Sequence, residues 1–243
     1  YTINVTVNNS LGNNNSYART FTVDTTPPNL PTITSSTHSN NTWSNNTVIT
    51  LDWSASDPIS GIISNYAYVL DTINITEPNT VTDVKGSGNT ITETRSEGTQ
   101  YFHIRAKDAA GNWGNTSHYT IKIDTSLPSA PTITSITHDN NAWSGNTTVS
   151  LNWSASDLVS SISNYSYTLS DNSTVEPDNT GEGSGTAISP TKPEGIYYFK
   201  IKAQDAASNW GLVSTYTIMI DNSTPTFSSK APQNNAILRN NRT

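Results

Sequence analysis

Apolar and polar positions alternate with period two through most of this chain, and the alternating runs come in pairs. Ile49, Leu51, Trp53 and Ala55 are interleaved with Thr50, Asp52 and Ser54; one hundred residues later Val149, Leu151, Trp153 and Ala155 repeat the pattern. Period two places each apolar set on one face of a strand, and a Trp in the set marks that face as the core side. Three more strands follow the same rule. Tyr66, Tyr68 and Leu70 return as Tyr165, Tyr167 and Leu169; Phe102, Ile104 and Ala106 as Phe199, Ile201 and Ala203; Tyr119, Ile121 and Ile123 as Tyr216, Ile218 and Ile220. No segment shows sustained helical periodicity, and Thr, Val, Ile, Tyr and Trp are abundant. Between Asp71 and Glu97 the chain is rich in Gly, Thr and Asn, and its strand pairing is not readable.

The pairing extends to whole motifs. N-T-W-S-N-N-T-V-I-T-L-D-W-S-A-S-D at 41–57 returns at 141–157, and Y-F-H-I-R-A-K-D-A-A-G-N-W-G at 101–114 returns at 198–211. A long repeat means an array of similar units. It argues against an enzyme, because one active site does not need two near-copies of its scaffold. Three stretches end alike, F-T-V-D-T-T-P-P at 21–28, I-K-I-D-T-S-L-P at 121–128 and I-M-I-D-N-S-T-P at 218–225, each a short strand, an Asp, small polar residues and a Pro. Boundaries follow: an incomplete unit at 1–24, whole units at 27–124 and 127–221, and the start of a further unit or tail at 225–243. Short half-buried strands, about seven per unit, predict an all-β chain of tandem two-sheet sandwiches.

At these residues the chain resembles fibronectin type III and related Ig-like repeats. The carriers are a proline-led first strand, a Trp closing the second, Y-x-Y in the third and E-G-x-x-Y-F-x-I-x-A-x-D before a turn. W-S-A-S-D followed by A-x-D-x-A-G-N-W, with I-D-x-x-x-P at the end, is closest to Ig-like repeats of bacterial and archaeal surface proteins. The resemblance implies tandem Ig-like/fibronectin type III-like β-sandwiches. It also implies an extracellular, cell-surface array that acts as a stalk, an S-layer or sheath component, or a filament or adhesin subunit. The alternative is a carbohydrate- or protein-binding module appended to an extracellular enzyme. One departure stands in the sixth strand: Tyr197 and Tyr1 occupy the place of a tyrosine corner, whereas the middle unit has Gln100. Residues 1–24 read as the last two strands of a unit, with Ile3, Val5 and Val7 matching Phe102, Ile104 and Ala106. Two strands do not bury a core alone. Either the chain continues upstream, or the strands are completed by a neighbouring molecule.

Composition changes this picture only modestly. The chain has 243 residues, 12 basic and 19 acidic, for a net charge of −7, which disfavours a nucleic-acid partner. Cysteine is absent, so disulfides play no part. No stretch approaches a membrane-spanning length. The chain starts at Tyr1 rather than Met, which reads as a piece of something longer. Thirteen N-x-S/T sequons make N-linked glycans a candidate modification: Asn4, Asn8, Asn14, Asn40, Asn45, Asn74, Asn115, Asn146, Asn152, Asn164, Asn172, Asn222 and Asn241. Chance at this Asn, Ser and Thr content gives roughly nine, so the excess is small. Expected partners are neighbouring copies or repeats of the same surface protein, and surface glycans or proteins.

Acidic residues recur at fixed places: Asp24, Asp57 and Asp108, then Asp124, Asp157 and Asp205. In a sandwich of this topology the loops after the second and sixth strands share the pole at which the chain arrives. Each set therefore converges. Two readings fit. Calcium would neutralise the three carboxylates, and the resemblance implies calcium at the joints of surface repeats. Alternatively, each Asp caps its own turn. Trp113 and Trp210 sit in turns at the entry pole, and Trp43 and Trp143 in the loop before the second strand at the opposite pole, where they plug sandwich ends, meet at joints or offer sugar platforms. Nothing pairs a His with a Ser and an Asp as a nucleophile site. His38 and His138 are repeat-equivalent, whereas His103 and His118 have no copies. Glu97 and Glu194 fall in the turn before the sixth strand, and the loop glycines precede no helix.

Overall fold

The computed structural model describes residues 1–59 and 63–226, and none of these is helical. The start of a further unit expected beyond 225 falls almost wholly outside the described residues. Strands β1 (Thr2–Asn8) and β2 (Asn14–Thr20) form an antiparallel hairpin that pairs only with itself, and every residue in both is exposed. Its apolar residues Ile3, Val5, Val7 and Tyr17 are uncovered.

A first sandwich follows, made of β3 (Thr32–Ser35), β4 (Trp43–Ser44), β5 (Val48–Ser54), β6 (Ile63–Asp71), β7 (Val84–Gly86), β8 (Thr90–Thr94), β9 (Gly98–Asp108) and β10 (Ser117–Ile123). One sheet has the order β3-β5-β8, the other β4-β10-β9-β6-β7. The second sandwich comprises β11 (Thr132–Ser135), β12 (Trp143–Ser144), β13 (Leu151–Ser154), β14 (Ile162–Ser170), β15 (Ala187–Ile188), β16 (Gly195–Asp205) and β17 (Ser214–Ile220). Its sheets are β11-β13-β15 and β12-β17-β16-β14. By compactness the chain divides into two units. One is Tyr1–Ser129 with Ser156–Asn164 and Ala203–Gly211; the other is Ala130–Ala155 with Tyr165–Lys202 and the chain from Leu212 onward.

The alternation read from sequence is the alternation of burial. In β5 Ile49, Leu51 and Trp53 are buried between outward Thr50 and Asp52, and Phe102, Ile104, Ala106, Tyr119, Ile121 and Ile123 complete the same cluster from the facing sheet. Trp53 is its hub, with ring centroids 6.0 Å from Tyr66, 5.1 Å from Tyr68 and 5.4 Å from Phe102. Around Trp153 the distances are 6.0, 5.3 and 5.4 Å to Tyr165, Tyr167 and Phe199. The copying therefore reaches ring packing.

Two features differ from the sequence reading. Trp43 and Trp143 are not loop residues: Trp43–Ser44 and Trp143–Ser144 pair in parallel with β10 and β17 as two-residue strands. The stretch after β6, unreadable from sequence, folds over the outer face of its sheet. Pro78 is buried there, Thr116 donates to Glu77, and the repeat-equivalent Pro177 is buried beside a Glu176–Lys200 ion pair.

The corners at Ser35–His38 and Ser135–His138 are also set by side chains. Tyr119 Oη donates to the His38 carbonyl at 2.5 Å, and Tyr216 Oη to that of His138 at 2.6 Å. His38 is buried, with Nε2 3.0 Å from the Asn46 carbonyl and Nδ1 2.9 Å from Thr37 Oγ1, a neutral arrangement. Burial pushes the imidazole below its ordinary value of 6.5, and the bond to Asn46 only partly opposes this. Above the ordinary value both folded and unfolded states are neutral, and stability is complete. As pH falls through that value the unfolded chain takes up the proton first, so stability is lost. Denaturation midpoints measured between pH 7.5 and 5 are expected to fall for the chain and to fall less for His38→Gln. Equal slopes for the two would remove His38 as the cause.

Candidate metal centres

Each acidic triplet is built where three chain segments meet at one pole of a sandwich. Asp24 lies before β3, Asp57 follows β5 and Asp108 ends β9; Asp124 lies before β11, Asp157 follows β13 and Asp205 ends β16. One carboxylate oxygen from each member lies within 4.8 Å of the others, in both triplets. The convergence anticipated from topology is thus present twice. All six residues belong to the first compact unit.

The two oxygens of each carboxylate have different work, and the capping reading describes one of them. Oδ1 of Asp24 accepts from Thr26 N at 2.9 Å, and Oδ1 of Asp57 from Ile59 N at 2.9 Å. Oδ1 of Asp108 accepts from Gly111 N at 2.7 Å and Asn112 N at 2.8 Å. In the second set Asp124 accepts from Ser126 N, Asp157 from Val159 N and Ser160 N, and Asp205 from Ala207 N and Asn209 N. The other oxygens behave otherwise. Oδ2 of Asp24 and Oδ2 of Asp124 are buried and receive no hydrogen bond. Asp124 is 0 % exposed, so this oxygen is shut off from bulk solvent, with the Ser160 hydroxyl nearby.

Asn112 and Asn209 stitch each site together. Asn112 Nδ2 donates to Asp108 Oδ2 at 2.8 Å and to the Asp24 carbonyl at 3.1 Å; Asn209 Nδ2 donates to Asp205 Oδ2 at 2.8 Å and to the Asp124 carbonyl at 2.9 Å. This assigns a purpose to the repeated N-W-G. The glycine that closes it is equally constrained. A Cβ on Gly114 would lie 2.8 Å from the Pro28 carbonyl oxygen, and one on Gly211 2.5 Å from that of Pro128.

The electrostatics of the two sets differ. Burial disfavours the charged form of Asp108, but the Asn112 side chain and the Asn112 and Gly111 N–H groups outweigh it and hold the carboxyl below the usual range. Burial pushes the Asp124 carboxyl up; the nearby Ser160 hydroxyl and Ser126 N–H moderate this, and the charges of Asp157 and Asp205 reinforce it. Like charges at this distance resist joint ionisation unless a cation or a proton intervenes.

The remaining candidates are more dispersed. Trp113 and Trp210 are half-buried and bridge back to their own sixth strands, at Lys107 and Gln204. Trp43 is half-buried beneath Lys122, whereas Trp143, opposite Met219, is 59 % exposed. Glu97 does more than shape a turn: its Oε2 accepts from Thr125 N, Thr125 Oγ1 and Ser126 Oγ. Tyr197 Oη donates to the Pro193 carbonyl at 3.2 Å, as a tyrosine corner requires, and Gln100 is buried at that position in the first sandwich. Of the sequons, Asn164 is half-buried, Asn241 lies outside the described residues and the others are exposed.

In the first sandwich β3, β5 and β8 face β6, β9 and β10 with β7 at the edge, and in the second β11, β13 and β15 face β14, β16 and β17; in both, the short Trp-Ser strand returns in parallel to the last strand. Both sandwiches are fibronectin type III-like modules. No family model matches the chain. A curated relative, chitinase A1 of Niallia circulans, is 32% identical over 190 residues, which cover 77% of this chain and 25% of the relative. The chain thus spans about a quarter of the length of that relative. Among solved structures, the fibronectin(III)-like modules of Clostridium thermocellum CbhA align at a TM-score of 0.40 and 15% identity, covering 78% of this chain and 93% of theirs. Domains FN1–FN3 of chicken CNTN1 align at 0.41 and 12%, covering 85% and 70%.

Proposed function

We propose that this chain is a non-catalytic, extracellular spacer: a tandem array of fibronectin type III-like modules in a prokaryotic surface protein, with calcium held at its acidic poles. The observation that carries the reading is duplication. The ring-packed core, the tyrosine-to-carbonyl corner and the three-carboxylate pole are each built twice with the same partners. A structural element gains from repetition in a way a catalytic pocket does not. Neighbouring repeats, or copies of the same protein, are the natural partners of such an array, and glycans on the exposed sequons would shield its edges.

Calcium suits the poles because it takes six to eight oxygens, from carboxylates and carbonyls alike, in flexible geometry. Asp24, Asp57 and Asp108 would hold one ion and Asp124, Asp157 and Asp205 another. Melting followed by Trp fluorescence is the measurement. Calcium at about a hundred times its dissociation constant adds about 2.7 kcal/mol, equivalent to roughly 11–22 °C for a module of this size. EDTA should return the midpoint to its starting value. Equal midpoints in calcium and in EDTA would leave the carboxylates as turn caps alone.

A second reading is favoured by the similarity to a quarter of chitinase A1: the modules are appendages of an extracellular polysaccharide-degrading enzyme. Pelleting the chain with insoluble chitin separates the two. A spacer stays in the supernatant, whereas a substrate-targeting module sediments.

A further inference from the structure

On the outer face of the first sandwich, His103 on β9 stands directly opposite His118 on β10. Their Nδ1 atoms are 2.7 Å apart. His103 is 0 % exposed because the stretch after β6 covers it, and its Nε2 lies 2.8 Å from the Ile73 carbonyl. A carbonyl only accepts, so the ring proton of neutral His103 is on Nε2 and its Nδ1 carries the lone pair. His118 is exposed and supplies the Nδ1–H between them.

We infer that His103 and His118 form a site for an imidazole-preferring divalent transition metal, zinc, copper(II) or nickel, in which the metal takes the place of the shared proton and His118 carries its ring proton on Nε2 instead. Three observations carry this. First, His103 is prepared as a metal-ligating histidine is: its other nitrogen is tied to a backbone carbonyl, with Asp71 Oδ1 3.5 Å behind it, which fixes tautomer and ring orientation. Second, the spacing is nearly right. Two nitrogens at the usual 2.0–2.1 Å from one metal stand about 2.9–3.4 Å apart. The rings must therefore separate by a few tenths of an ångström, and exposed His118 is free to turn. Third, the neighbouring charge is favourable: Asp71 and Glu77 are both held on this face, Glu77 by Thr116 just before β10. The half-buried Tyr101 ring lies roughly parallel to the inner ring, centroids 6.3 Å apart. Arg105, the nearest cation along β9, is turned to the Gly114 carbonyl.

The pair is not part of the shared scaffold. Lys200 and Thr215 occupy the same register in the second sandwich, and Lys200 pairs with Glu176 instead. The inference is independent of the spacer reading and of calcium at the poles. With two protein ligands the site is open, its remaining positions left to water, and its affinity should fall as pH drops and the imidazoles protonate.

The test is a zinc titration of the whole chain at pH 7.5 in excess calcium, which occupies any carboxylate sites. It is followed by calorimetry and by the imidazole resonances of the four histidines. One equivalent is expected to bind, moving His103 and His118 and leaving His38 and His138 in place, and His118→Ala should bind at least tenfold more weakly with an unchanged melting midpoint. Equal affinity in wild type and His118→Ala would overturn the site. So would binding in the wild type that leaves the two resonances unmoved, a readout that needs no variant.

Discussion

Replacing Trp53 with alanine is expected to unfold the first sandwich under conditions where the second stays folded. Trp53 is buried, contacts Tyr66, Tyr68 and Phe102 edge-on or tilted, and is the last of the core-facing residues of β5. Truncating a buried aromatic costs about 3–5 kcal/mol through lost transfer energy and the cavity left behind. A domain of this size holds about 5–15 kcal/mol in all, so the loss takes most of the margin at its lower end. Trp53→Phe should be far milder. It keeps a ring against three partners and deletes an indole N–H that is buried without an acceptor. Urea unfolding followed by circular dichroism should show one transition moved to low denaturant in Trp53→Ala and close to its original position in Trp53→Phe. Similar shifts for both would mean that the ring cluster is not what holds the sheets together.

The second large effect lies at the pole. Asp205 is buried and accepts from Ala207 N at 2.8 Å, Asn209 N at 2.9 Å and Asn209 Nδ2 at 2.8 Å. Asp205→Ala leaves these donors in place without their acceptor, and each orphaned group costs about 1–3 kcal/mol. A loss of roughly 3 kcal/mol or more is expected. Asp205→Asn keeps an acceptor for the backbone donors and removes one of the charges that raise the Asp124 carboxyl. In EDTA it should therefore lose much less than the alanine variant, while the gain from calcium is cut. Because the folded carboxyl of Asp124 is raised, the metal-free chain loses stability as pH rises through that value, and calcium should abolish this slope. A calcium response in Asp205→Asn as large as in the unaltered chain would show that this carboxylate is not a ligand.

The core was legible because burial and period two are the same fact. A strand that buries one face must alternate, and the copy at 141–157 repeated the message. The convergence of Asp57 with Asp108 and Asp24 was legible for a different reason: topology alone dictates which loops share a pole. The two-residue strands at Trp43 and Trp143 were not, because two residues carry no period and their parallel partner lies some eighty residues away. The fold-over after β6 was hidden too. It is held by a buried proline and by single bonds to a neighbouring strand, not by a repeating pattern.

By itself the sequence determined that this chain is a repeated all-β sandwich with ring-filled cores, because strand periodicity and duplicated motifs are local properties written residue by residue. Only the tertiary structure decided what the polar side chains do. It set an oxygen of each aspartate to cap a turn, brought a carboxylate oxygen of each within 4.8 Å of its fellows, and set His103 against His118. Those outcomes depend on which atoms from distant segments come within a hydrogen-bond length of one another, and no linear pattern encodes that distance.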